Sequence, residues 1–396
     1  MNQSLTSNIW KYAVLLITNK RVWVSIIAVY YLTIPGVNEL GISYIILAGN
    51  VAGVLFEIPS GYLADQIGHK KTLVLSRIFA VISSIFYLMA WDLWTLIAGS
   101  VFLSLSVAFM SGTGNAFMLD TLKNLGREHE YAKIMGKIKS IGFSLPLLIS
   151  MFVPFLAEIS IKAPFVAGIV MDVIGLVVSL LFIAPKVIKA KVEDNAFRDL
   201  LRIVKQGISI GFVKYSVYLG VLGGLIFAIG NYRGPYQASL GIPIIYFGLF
   251  FGLGRGFASI LLWFSGKIQK RFTMKQFFFW QTILYGLIFL VLGTGINPWV
   301  LVILFAFQNG LKWGLTEIED SYFIDLIKDV PNKATLLSFG SQIQQIIGGI
   351  AALLVGWIIV SFGYQQGFLF FGIIFSVIML AMYWITFSRT TIKKNR

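Results

Sequence analysis

The chain contains no cysteine. Disulfides, thiolate metal sites and cysteine nucleophiles are therefore excluded. Histidine is almost absent: His69 and His129 are the only two, which leaves no basis for a His-based metal site or catalytic dyad. Charged side chains make up only 12% of the 396 residues, about half the share found in soluble domains. No G-x-x-x-x-G-K-[ST] sequence occurs, so ATP drive within this chain is not expected. What fills the sequence instead is apolar: 57% hydrophobic side chains, with 34 Phe among them. A soluble fold of this length could not cover so much apolar area, and lipid must cover part of it.

The net charge is +15. In a soluble protein that would suggest nucleic acid as a partner. Here the cations sit in short runs between apolar segments, where a cytoplasmic membrane face places them, so no nucleic acid is expected. Residues 1–9 lack a basic n-region and no small-residue cleavage site follows. The first apolar segment is thus expected to stay as a helix rather than be removed as a signal peptide.

A helix needs about 20 apolar residues to cross the hydrocarbon core. Segments of that kind read as 10–36, 41–65, 72–91, 94–119, 135–157, 163–184, 213–237, 243–267, 275–295, 298–325, 334–361 and 364–387. Breaks at Pro35-Gly36, Gly68-His69, Gly126, Pro185, Gly241 and Pro331 separate many of them. The expected fold is all-α and integral to the membrane, with twelve transmembrane helices. An even count puts both termini on one side. One loop set holds Lys70, Lys71, Arg77, Lys123, Arg127, Lys133 and the cations of 186–205, then Lys267, Lys270, Arg271, Lys275 and the basic tail ending at Arg396. The opposite set holds at most Lys162 and Arg233. Positive-inside asymmetry then makes both termini cytoplasmic and the chain a multi-pass protein of the cell membrane.

The stretch 186–212 is the longest polar one and splits the spans six to six. It reads as a cytoplasmic linker, in part an amphipathic surface helix, between an N-terminal half (1–185) and a C-terminal half (213–396). The halves resemble each other. Asn115-Ala-Phe-Met-Leu-Asp120-Thr-Leu-Lys123 pairs with Asp320-Ser-Tyr-Phe-Ile-Asp325-Leu-Ile-Lys328, each at the end of the fourth span of its half. Trp94 and Trp299 open those spans, and Gly41 and Gly241 open the second spans. Two six-helix bundles of the same orientation would relate by an axis along the membrane normal, with a substrate site between them.

The loop after the second span reads Gly61-Tyr-Leu63-Ala64-Asp65-Gln-Ile-Gly68-His69-Lys70-Lys71-Thr-Leu73. It resembles the signature loop of the major facilitator superfamily, G-x-L-a-D-r-x-G-r-[KR]-x-x-L, and sits between the right two spans. The preceding Phe56-Glu57-Ile58-Pro59-Ser60-Gly61 is similar to the lead-in of a bacterial branch of drug or small-solute efflux carriers, as is Asp120 to Tyr131. The resemblance implies two pseudo-symmetric bundles, a monomer, no cofactor beyond a proton or other ion gradient, and a small-molecule substrate amid membrane lipids. It also implies that Asp65 meets the start of span eleven near Lys333, so that Gly61, Asp65, Gly68, Lys70 and Lys71 form a cytoplasmic gate. Read physically, Gly61 and Gly68 would allow close approach and a sharp turn, and Asp65 suits a helix N-terminus. Lys70 and Lys71 could equally be plain positive-inside residues, or hold lipid phosphate. The sequence departs from the family pattern at His69, where Arg is usual, in lacking an Arg in span four, and in lacking a Gly-Pro antiporter motif in span five. These departures weigh against proton antiport.

Ionisable groups within spans are costly and point to cavities or partners. If span one began at Val22, only about 15 residues would precede Gly36, too few to cross. A continuous helix from Trp10 is expected instead, carrying Lys20 and Arg21 inside. Thr18, Arg21 and Ser25 share a face, which aims Arg21 at the cavity and leaves Lys20 to snorkel. A surface helix followed by a short tilted span is the alternative. In span two, Asn50, Gly53, Glu57 and Gly61 form one stripe, and Glu57 is a candidate proton carrier or a structural partner for a cation. Asn115 in span four and Asp172 in span six join the candidate cavity set. Arg233 (span seven), Arg255 (span eight, with Gly252, Gly256 and Ser259), and Lys312, Glu319 and Asp320 (span ten) belong to it too. Span eleven adds Ser338, Ser341, Gln342 and Gln345 as a polar wall. Lys312 could pair with Glu319 or Glu319 could reach Arg255 or Arg21; a structural ion-pair network is the bland alternative.

These features point to a secondary transporter working by alternating access. The family resemblance favours proton-coupled efflux of amphipathic, drug-like solutes. Arg21, Arg255 and Lys312 instead favour a carrier for an anionic metabolite, because guanidinium and ammonium groups bind carboxylate or phosphate. Uptake of a sugar or amino acid is a third reading. A membrane-embedded enzyme would have to rest on the carboxylates Glu317, Glu319, Asp320 and Asp325 alone.

Overall fold

The computed structural model describes residues 2–186, 212–326 and 333–388; the side chains of 2–4, 143, 325 and 333–339 are not described. The expected linker therefore falls almost wholly outside the described residues, as do the side chain of Lys333 and that of Ser338. The chain divides into two compact units, 1–192 with 243–252, and 193–242 with 253–396.

The first unit runs α1 (Asn2–Thr18), α2 (Ile27–Tyr31), α3 (Glu39–Ile67), α4 (His69–Leu88), α5 (Leu93–Met110), α6 (Thr113–Asn124), α7 (Tyr131–Phe152) and α8 (Ala163–Leu180). In the second are α9 (Phe212–Gly230), α10 (Arg233–Ser239), α12 (Met274–Leu292), α13 (Pro298–Gly314), α14 (Thr316–Leu326) and α15 (Lys333–Phe387). The helix α11 (Ile245–Arg271) contributes its start to the first unit and its remainder to the second. Among the described residues, nine helical stretches are long and apolar enough to cross a membrane. The last of these covers two expected spans, because Gly363 at φ 77° interrupts the helix. Two further spans consist of the pieces α1 with α2 and α13 with α14. The fold is all-α and compatible with the twelve spans read from the sequence.

Local chemistry explains where the helices start and turn. The Asp92 side chain accepts from Thr95 N at 2.8 Å and starts α5 in a capping box. Asn297 caps α13 through Trp299 N at 2.9 Å, followed by Pro298 in the first turn. The two tryptophans paired in the sequence thus occupy equivalent places after an Asx cap. Within the first unit the helices are stitched by serines donating across to neighbouring carbonyls, as membrane helices require. Ser76 Oγ donates to Ser106 O at 2.7 Å, Ser83 Oγ to Gly99 O at 2.7 Å, and Ser100 Oγ to Ile45 O at 2.9 Å. In the second unit α9 lies so close to α15 that a Cβ on Gly224 would stand 2.9 Å from the backbone N of Gly348.

Span one departs from the continuous helix expected. α1 ends at Thr18, and regular helix resumes only at Ile27. Spans four and ten break too, at Ser111–Gly112 and at Leu315. Gly112 adopts φ 66°, a conformation that L side chains rarely reach. The matched breaks extend the sequence repeat between the halves to backbone level.

Candidate solute-binding site

The break in span one is held by buried charge. Asp172 on α8 is 1% exposed, and its Oδ1 accepts from Arg21 Nη1 at 2.8 Å and from Arg77 Nη2 at 2.6 Å. Its Oδ2 accepts from Ser84 Oγ at 2.5 Å. Arg77 is wholly buried on α4. It donates through Nη1 to Asn19 Oδ1 at 2.7 Å and through Nη2 to Thr18 O at 3.2 Å. That carbonyl is one that the end of α1 leaves without a helical partner, so the guanidinium caps it. Gly175 leaves the space: a Cβ there would lie 2.6 Å from Thr18 Oγ1 and 2.8 Å from Arg77 Nε.

Two expectations change places here. Arg77 is no loop cation; it is a core residue, and the positive-inside count loses one member. Arg21 turns onto Asp172 rather than into a cavity. The residue that does line a cavity is Lys20, which the sequence reading sent to snorkel. The helix break is the reason: the regular 100° rotation that placed Thr18, Arg21 and Ser25 on one face does not run through it.

That cavity has a volume of about 500 Å³ and lies within the first unit. Its wall comes from α1 (Tyr12, Leu16), the break of span one (Asn19, Lys20), α5 and its break (Val107, Met110, Ser111, Gly112), Asn115 on α6, and Lys139 and Gly142 on α7. The interrupted spans one and four thus expose polar groups to it. Among the described residues two ammonium groups line it, and no carboxylate does. Lys139 escaped the sequence reading. Its signal was the spacing to Gly142, three residues on and on the same helical face; a Cβ at Gly142 would stand 2.8 Å from Leu16. Just behind the wall, Glu57 accepts from Ser111 Oγ at 3.0 Å. Among the described residues Glu57 forms no ion pair, so its role as a cation's partner is not what the structure shows.

The signature loop follows its expected turn in part. Gly68 ends α3 at φ 91° and α4 begins at once. Among the described residues none comes close to Gly61: a Cβ there would meet nothing within 4 Å. His69 Nδ1 lies 2.8 Å from Asp120 Oδ2, tying the loop to the end of α6. Gly68, His69, Lys70 and Lys71 line a second cavity of about 520 Å³, walled by Val74 and Leu180. Asp65 is exposed.

The second unit carries its own charged cluster. Arg255 stacks on Trp313 at 3.9 Å from the ring centroid. Lys312 Nζ lies 5.0 Å from the centroid of Phe227 and 5.6 Å from that of Trp313. The expected pairing of Lys312 with Glu319 is absent; Glu319 Oε1 accepts from Gln281 Nε2 at 2.5 Å instead. The break at Leu315 separates the two residues that an unbroken helix would have stacked. Asp320 is exposed, Arg233 is half-buried at the start of α10, and Gln342 and Gln345 are half-buried on α15. Gln344 rather than these two packs on Gly223.

The sequence model of the Major Facilitator Superfamily matches residues 12–318. The chain belongs to this superfamily. A curated relative, the uncharacterized MFS-type transporter YxaM of Bacillus subtilis (strain 168), is 26% identical over 227 residues. The match covers 56% of this chain and 56% of that relative's length. Solved structures share the fold. A mutant of the nucleoside transporter NupG superposes with a TM-score of 0.78 at 16% identity, covering 97% of this chain and 100% of that one. A POT family transporter in complex with 5-aminolevulinic acid gives 0.71 at 15% identity, covering 96% of both chains. Superfamily membership and the apolar helices make the chain a multi-pass membrane protein.

Proposed function

We propose that this superfamily member carries a small solute bearing an anionic group, by alternating access of its two six-helix halves. The observation that carries this reading is the first-unit cavity, lined among the described residues by Lys20 and Lys139 with Asn19, Ser111 and Asn115 and by no carboxylate. Such a wall offers charge-assisted donors to a carboxylate or phosphate and repels cations. Amphipathic drug-like solutes, which the family resemblance favours, fit it less well where they are cationic. The second unit carries cations of its own, Arg255 and Lys312, set against Trp313.

The test is solute counterflow in proteoliposomes with labelled mono- and dicarboxylates, phosphate esters, neutral sugars and cationic drugs. Saturable exchange of an anion, with KM raised about tenfold in Lys139→Gln by loss of one charge-assisted contact, is expected. Exchange confined to cationic drugs and indifferent to Lys139→Gln would overturn the reading.

A second reading concerns coupling. Glu57 accepts from the Ser111 hydroxyl and forms no ion pair among the described residues, and this reading assigns it the coupling proton. Adding the transported solute to protein in detergent should change proton occupancy, and Glu57→Gln should abolish that change; an unaltered signal in the variant excludes Glu57. The loop Gly61 to Leu73 serves in this scheme as a cytoplasmic gate through Asp65, Lys70 and Lys71, with both termini cytoplasmic and the protein a monomer.

A further inference from the structure

We infer that Arg21, acting through the buried Asp172–Arg77 pair, is a positioning residue that turns Lys20 into the solute cavity. The inference rests on the cavity reading above.

Asp172 and Arg77 would balance each other as a simple pair, one carboxylate against one guanidinium. The pair already caps the end of α1, through Thr18 O and Asn19 Oδ1. Arg21 then adds a second guanidinium to the same Asp172 oxygen. A surplus cation among buried groups is costly, and its Nη2 is buried with no hydrogen-bond partner. A purely structural pin would not need it. What Arg21 does accomplish is geometric. The chain is tied at Thr18 and Asn19 by Arg77, and at Arg21 by Asp172. Only Lys20 lies between the two ties. It is exposed and lines the cavity, while its neighbour Arg21 is 13% exposed and points to α8. Fixing both flanks of one residue restricts its backbone in advance, so the side chain starts from the cavity wall and only its rotamers remain to be ordered at binding. Gly175 keeps the space in which these ties meet.

The natural absence of cysteine makes a direct test simple. Lys20→Cys supplies a single thiol, whose maleimide labelling rate reports how residue 20 is presented. The rate should change severalfold when Arg21→Gln is added, and Arg21→Lys should restore it. Arg21→Gln leaves the Asp172–Arg77 pair neutral, so the fold is retained, which size-exclusion profile and melting temperature check. In counterflow, Arg21→Gln should raise KM about tenfold, as Lys20→Gln does, with Vmax held. The double variant Lys20→Gln/Arg21→Gln should be no worse than Lys20→Gln alone, because the two act through one contact. A labelling rate unchanged by Arg21→Gln overturns the positioning role. A changed labelling rate, together with Lys20→Gln leaving KM unaltered for every anion, supports the positioning and overturns the anion reading instead.

Discussion

At the scale of single residues, burial and partners separate side chains that sequence treats alike. Lys20, Arg21 and Arg77 are three cations in or near apolar segments. One lines a cavity, one is pinned, and one is wholly enclosed. Gly175 is the small residue on which this sorting depends. Gly175→Ala forces a methyl against Thr18 Oγ1 and Arg77 Nε, so it should cost about 1–3 kcal/mol through overpacking, read as a lower melting temperature in detergent. Trp313→Ala should behave differently. It removes a ring that two cations face, worth about 0.5–2 kcal/mol, and it should weaken anion affinity more than it lowers the melting temperature. Equal losses in both would make Trp313 a packing residue only.

At the scale of elements, the informative feature is interruption. Spans one, four and ten are each broken, and the first two breaks supply much of the polar lining of the cavity, with Lys139 added from α7. Broken helices free backbone groups at membrane depth, which are tolerated where protein or a wet cavity satisfies them. At Gly112 the break needs φ 66° and no neighbouring atom crowds the site. With ψ −49° and Thr113 N donating to Ser111 O, Gly112 forms a γ-turn that is strained for L residues, so Gly112→Ala should cost about 1–3 kcal/mol. Its effect on transport should be larger than on stability, since Ser111 and Asn115 flank it; wild-type KM in this variant would show that the break is not part of the site. Sequence periodicity did not expose these breaks, because polar runs such as Asn19-Lys20-Arg21 and Ser111-Gly-Thr-Gly-Asn115 inside apolar spans read equally well as a polar face of an unbroken helix. Glycine at 112 was a hint, but Asn19–Ile26 contains none.

At the scale of the whole molecule, charge asymmetry along the chain argues for cytoplasmic termini. Moving Arg77 into the core trims that argument by one residue and leaves its sign intact. Because the chain has no cysteine, the orientation can be read from introduced thiols. Ser160→Cys, beside Lys162 and exposed, should react with an impermeant maleimide in intact cells. Ser388→Cys, at the exposed end of α15, should react only after permeabilisation. The reverse pattern would invert the topology.

Composition and hydropathy by themselves determined that this chain is a polytopic helical membrane protein, since no other arrangement satisfies so many apolar residues and their backbone groups. The loop Gly61 to Leu73 pointed to the superfamily, because it combines specific residues at one place between two spans. The intramembrane charges marked where function would concentrate. Which charge faces solute and which faces another charge was decided only by tertiary structure. Arg21 and Asp172 are 151 positions apart, and Arg77 and Asp172 are 95 apart. Pairings over such distances depend on how α4 and α8 pack against a broken first span, and nothing in local spacing encodes that.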